Sequence, residues 1–290
     1  ESVPSASIMR VGVSTLPFIR RDATDRNRTS PFAFTGNKFE FRMVPSSGCI
    51  ADANIVLNSI AADALEAFAD ELEKAEDFES AMRALVRREM TAHQRIIFNG
   101  NGYTDEWVAE AARRGLPNIG SMVDAIPELV KPASVALFAR QGVYTEKELF
   151  ARADVSYELY AKTVNIEALT MIDMARKEIL PAVEAYAHDV SETLVSKTAA
   201  VPGLSGRYEK NLIAKLSELA DEIDSAITAL DTEAIRYKTI GDVTEAAFMI
   251  RDVILQRMAE LRVVCDEAET LTAEKYWPFP TYEKLLFGVR

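Results

Sequence analysis

The spacing of apolar residues changes character once, at Ser46-Ser47-Gly48, and that change limits what the chain can fold into. Before it, Asn37-Lys38-Phe39-Glu40-Phe41-Arg42-Met43-Val44 alternates polar and apolar, the period of a half-buried β-strand. Lys38, Glu40 and Arg42 then share one face, and Phe39, Phe41 and Met43 the other. After it, apolar residues recur at threes and fours nearly to the end, the period of amphipathic helices. Leu57, Ile60, Ala61, Ala64, Leu65, Phe68 and Leu72 form one stripe, and Phe78, Met82, Leu85, Val86 and Met90 a second. The expected fold is therefore mainly α, a helical bundle with long antiparallel helices and a small β segment near the N-terminus.

The breaks between helices are written in turn chemistry. Asn99-Gly100-Asn101-Gly102 favours positive φ, and Thr104 is placed to cap an acidic-first helix ending near Gly115-Leu116-Pro117. The proline-containing stretch from Asn118 to Pro132 reads as an irregular connection. Thr145 with Glu148 has capping-box spacing and opens a long helix. Inside it, Val164 to Ile172 is apolar on nearly every side, which predicts burial, and Pro181 bends or restarts the helix. Beyond Val201-Pro202-Gly203, Tyr208, Leu212, Leu216, Leu219, Ile223, Ile227 and Leu230 predict one long helix. Ile250, Ile254, Met258, Leu261, Cys265 and Leu271 predict its antiparallel partner, joined near Gly241. The tail Tyr276-Trp277-Pro278-Phe279-Pro280-Thr281-Tyr282 reads as an extended arm. Three regions follow: 1–48 with the β segment, 49–200 helical, and 201–290 a helical hairpin with its arm.

Composition excludes several functions. The net charge of −12 over 290 residues speaks against nucleic-acid binding and against a polybasic membrane surface. Two cysteines cannot frame disulfides, so a reducing cytoplasm is expected. No apolar run approaches the ~18 residues of a membrane span. Opening on Glu1, the chain is expected to be processed or part of something longer.

The charge is unevenly spread. Between residues 20 and 42, Arg20, Arg21, Arg26, Arg28, Lys38 and Arg42 face Asp22, Asp25 and Glu40, a local balance of +3 that leaves −15 elsewhere. Such an island suits a phosphate or carboxylate ligand, for which Arg is the geometric match; it equally describes a solvated strand and loop. Glu40 and Arg42 project together, as a metal ligand and an anion clamp would, or as an exposed ion pair of little consequence. His93 and His188 lack companions at metal-ligand spacing. Cys49 and Cys265 read as small core residues. Glu167 and Asp173, in an apolar helix, need partners, and are expected in a structural ion pair or in support of a site. No Gly-rich phosphate loop is present.

The segment Asp25-Arg26-Asn27-Arg28-Thr29-Ser30-Pro31-Phe32-Ala33-Phe34-Thr35-Gly36-Asn37-Lys38-Phe39-Glu40-Phe41-Arg42 resembles the end of the catalytic core of type III glutamine synthetases. Arg95 to Tyr103, Asn165 to Met171, and Trp277 to Tyr282 resemble later segments of the same family, in order, so the resemblance runs from about Gly12 to the C-terminus. It implies an α+β enzyme that joins ammonia to glutamate with ATP and Mg²⁺ or Mn²⁺, as a cytoplasmic homo-oligomer. It assigns Arg28 and Arg42 to substrate and phosphoryl contacts, Glu40 to metal, and Lys38 to ATP phosphates; a further phosphate contact is expected from Arg20, Arg21 or Arg26. Two positions depart from the broader pattern: Phe32, Ala33 and Phe34 stand where a second Arg is common, and Pro45 where Gly is expected. The remaining ligands are expected upstream of residue 1, so the 290-residue chain alone is expected to be inactive. Two other readings stay open: a helical oligomerisation module without activity, and a related ligase joining glutamate to a larger amine.

Overall fold

A computed structural model describes residues 8–9, 19–20, 32–34, 39–41, 48–98, 102 and 104–287. The described chain is mainly α. Two antiparallel strand pairs precede the helices: β1 (Ile8–Met9) with β2 (Ile19–Arg20), and β3 (Phe32–Phe34) with β4 (Phe39–Phe41). The helices follow as α1 (Ile50–Leu72), α2 (Phe78–Ala92), α3 (Asp105–Arg113), α4 (Met122–Leu129), α5 (Pro132–Arg140), α6 (Glu146–Met174), α7 (Leu180–Ala200), α8 (Arg207–Tyr237), α9 (Val243–Met249), α10 (Leu255–Leu271) and α11 (Tyr282–Phe287). None of these is long and apolar enough to cross a membrane.

The chain divides into two compact units, residues 1–119 with 137–143, and residues 120–136 with 144–290. In the first, α1 and α2 form a helical hairpin tied by a bidentate ion pair, Arg88 donating to both Glu71 oxygens at 2.8 Å. Arg140 likewise donates to both oxygens of Asp63, at 3.0 and 2.9 Å.

The second unit has the larger core. On α6, Ala153, Tyr157, Ala161, Val164, Ala168 and Ile172 are buried in one stripe, and its alanines permit close helix approach. On α8, Leu216, Leu219, Ile223, Ile227 and Leu230 are buried at intervals of three and four. Ile254, Leu261, Cys265 and Ala268 meet them from the last long helical stretch. The α6–α7 rod survives Pro181 through a wide turn, Ala175–Ile179, immediately before it. Proline lacks an N–H and its ring crowds the preceding turn's carbonyl, so one widened turn absorbs the misfit.

Three expectations need correction. The stretch Asn118–Pro132 is not irregular: Ser121 caps α4, accepting from the Asp124 amide at 3.2 Å, and Pro132 opens α5. Proline at a first helical position forfeits no helical hydrogen bond, so there it marks a start and not a loop. Val164–Ile172 is not buried throughout, since Ile166 is 63% exposed. Cys49 is exposed and caps α1, while Cys265 is buried as expected.

Candidate functional site

Alternating aromatics favour an extended backbone in this segment. The β3–β4 register sets Phe32 opposite Phe41, Ala33 opposite Glu40 and Phe34 opposite Phe39. Glu40 is thus central in β4, and its side chain is half-buried. A carboxylate there is partly shielded from water yet reachable, as a hard-cation ligand must be. Of the residues that the resemblance assigns to the site, Glu40 lies within the described residues; Arg26, Arg28, Lys38 and Arg42 lie outside them.

The motif beginning at Arg95 is fastened to α3. Arg114 Nη1 donates to the Ile97 carbonyl at 2.8 Å and the Arg95 carbonyl at 3.2 Å, while its Nε donates to Glu110 at 2.5 Å. Phe98 stacks on Trp107 with ring centres 3.8 Å apart, and the Arg114 guanidinium lies 5.5 Å from that indole. The two arginines on Glu110, Arg114 first and Arg113 second, hold its carboxyl below the usual range.

The remaining candidates resolve into surface or core roles. His93 Nε2 lies 3.4 Å from Glu89 and His188 Nε2 3.4 Å from Glu192, each pair on an exposed helix face. Among the described residues no three His, Cys, Asp or Glu side chains gather as a metal site. Burial pushes the Cys265 thiol up to about 11, so it stays protonated near neutral pH and is no nucleophile. Asp173 does pair with Lys177. Glu167 has no ion-pair partner among the described residues, against expectation.

One arrangement was not foreseen. The Asn165–Met171 and Trp277–Tyr282 segments, more than a hundred residues apart, converge in the second unit. Ile166, Glu167, Thr170 and Met171 line the same groove as Trp277, Phe279 and Pro280. The exposed Ile166 follows from this, because it faces the groove and not the core.

Residues 81–198 match the family model of the glutamine synthetase C-terminal domain. A glutamine synthetase of Butyrivibrio fibrisolvens is 37% identical over 284 residues, covering 93% of this chain. The type-3 glutamine synthetase of Dictyostelium discoideum is 33% identical over 98% of this chain, and a glutamine synthetase of Bacteroides fragilis (strain YCH46) 32% over 96%. The chain belongs to the glutamine synthetase family. It spans 39–40% of the length of these curated relatives. Within the chain, the family-model match runs from α2 into α7, across both compact units.

Proposed function

We propose that this chain is part of a glutamate–ammonia ligase, contributing one edge of the catalytic site followed by a helical extension. The observation that supports it is family membership together with the Asp25–Arg42 segment, whose Glu40 sits mid-strand and half-buried. Carboxylates are poor electrophiles, so the glutamate γ-carboxylate must first be activated. Its oxygen attacks the γ-phosphorus of ATP, and ADP leaves. The ammonia nitrogen then attacks the acyl carbon, inorganic phosphate leaves, and a proton is lost from nitrogen to give the amide.

In this reading Arg42 and Arg28 bind the glutamate carboxylate and the transferring phosphoryl group, where bidentate guanidinium contacts offset growing negative charge. Lys38 and Arg26 hold ATP phosphates. Glu40 suits Mg²⁺ or Mn²⁺ as a single carboxylate donor, with other donors supplied from beyond the described residues. The bound divalent ion supplies charge neutralisation at the phosphates.

In the full-length protein, Glu40→Gln or Arg42→Ala should cut glutamine formation by about 100-fold or more, the scale of losing one preorganised transition-state contact. The circular dichroism spectrum should be unchanged. Near-normal turnover in a folded variant would refute the assignment.

Assembly into a homo-oligomer is the second part of the proposal. On α2, Phe78, Met82, Val86 and Met90 form a stripe at four-residue intervals and are 40–58% exposed, more apolar surface than an unpartnered helix usually shows. The same stripe favours the alternative of an interaction module. Light scattering on the chain with and without Phe78→Glu and Val86→Glu should show a larger species only for the unaltered stripe.

A further inference from the structure

We propose that the groove in the second unit, walled by α6, α10 and the Trp277–Pro280 arm, binds a small monocationic amine with an apolar body. The groove encloses about 510 Å³, within the range of sites that take small organic ligands. Its floor is apolar, built from Met171, Met174, Ile179 and the buried Cys265. Trp277 and Phe279 both line the groove and meet edge to face, 81° between planes and 6.5 Å between centres. An aromatic face attracts a cation through its quadrupole.

The charges complete the case. Glu167 from α6 and Glu269 from α10 line the groove with no ion-pair partner among the described residues. Arg262, the one cation among the described lining residues, is committed to Asp266 at 2.5 Å. Among the described residues, two carboxylates therefore remain without an ion pair beside an aromatic corner. That surface favours an ammonium group and repels molecules that also carry a carboxylate or phosphate, so free amino acids and nucleotides are poor occupants. It uses none of the residues assigned to the ligase chemistry, and its test reads binding alone.

Isothermal titration of the 290-residue chain with 4-phenylbutylamine, 4-phenylbutan-1-ol and 4-phenylbutyrate separates the contributions of charge and apolar body. The amine should bind at least about tenfold tighter than the alcohol, with the carboxylate weakest; such a ratio corresponds to one favourable desolvated cation contact. Glu167→Gln with Glu269→Gln should remove that amine-over-alcohol ratio while leaving alcohol binding intact. Trp277→Leu should weaken both ligands. Raising the salt on the unaltered chain should weaken the amine and spare the alcohol, a readout independent of how the variants fold. Equal binding of amine and alcohol, absence of saturable binding, or an amine affinity untouched by salt and by the double substitution would each overturn the proposal.

Discussion

Gly206 opens α8 with φ +53° and ψ +28°, in the left-handed region where an L side chain is strained. A Cβ built there would stand 2.3 Å from Leu194 Cδ1, so the side chain must also give way. Gly206→Ala should destabilise the second unit by about 1–2 kcal/mol, the cost of a non-glycine residue in this conformation. A urea melt measures it, and an unchanged midpoint would show that the α7–α8 turn relaxes freely. Thr145 presents the opposite situation. Its hydroxyl accepts from the Glu148 amide at 3.4 Å and the Glu148 carboxylate accepts from the Thr145 amide at 2.8 Å. That reciprocal cap was legible in the sequence because both partners lie within four residues. Cys49 was not legible. Whether a small sulfur residue is buried depends on what packs over it, and here it merely caps α1, exposed.

At the scale of elements, the Trp277 arm is pinned at its root by α7. Tyr276 donates its hydroxyl to Asp189 at 2.6 Å, Lys275 adds a contact at 3.1 Å, and the Tyr276 ring lies 5.3 Å from Tyr186. The Tyr276 hydrogen bond, followed by that from Lys275, holds the Asp189 carboxyl below its ordinary value. The stabilisation is fully present above the unfolded-chain pKa of ~4 and is lost as pH falls through the lower folded value. Pepsin cleavage near Trp277 should accelerate as pH drops below ~4. Asp189→Asn should raise cleavage above that range and flatten its pH dependence; an unchanged profile would show that the ion pair does not hold the arm. The groove above this root was invisible in the sequence for a physical reason. Periodicity says that Val164–Ile172 is apolar on most faces. It cannot say whether the second face meets another helix or, as for Ile166, an open groove. Proline misleads similarly between residues 118 and 132, since Pro132 is read as a breaker yet stands at a helix start.

At the scale of the whole molecule, the helical scaffold was readable because its signal is redundant. Leu216, Leu219, Ile223, Ile227 and Leu230 each repeat the same statement, and each is buried. Ile223→Ala, at 0% exposure, should cost ~2–5 kcal/mol, the range for truncating a buried aliphatic residue, as read by chemical denaturation. The proposed chemistry rests on the contrary kind of signal. It is concentrated in one short island of +3 whose unusual residue order carries the resemblance, and the net charge of −12 conceals it. Such an island is insufficient for catalysis by itself. Phosphoryl transfer between two anions needs metal ions held by several carboxylates, and the proposed reading draws one of them, Glu40, from this chain. Among the described residues no group of three metal-ligating side chains exists, and the chain spans 39–40% of its relatives' length. The purified 290-residue chain, given glutamate, ammonia, ATP and Mg²⁺, should therefore release neither phosphate nor glutamine above background. In the proposed ligase reading, the full-length protein releases both in equal amounts. Stoichiometric glutamine from the purified chain would mean that the island recruits all its metal ligands from within these residues, and that the helical extension is catalytic in its own right.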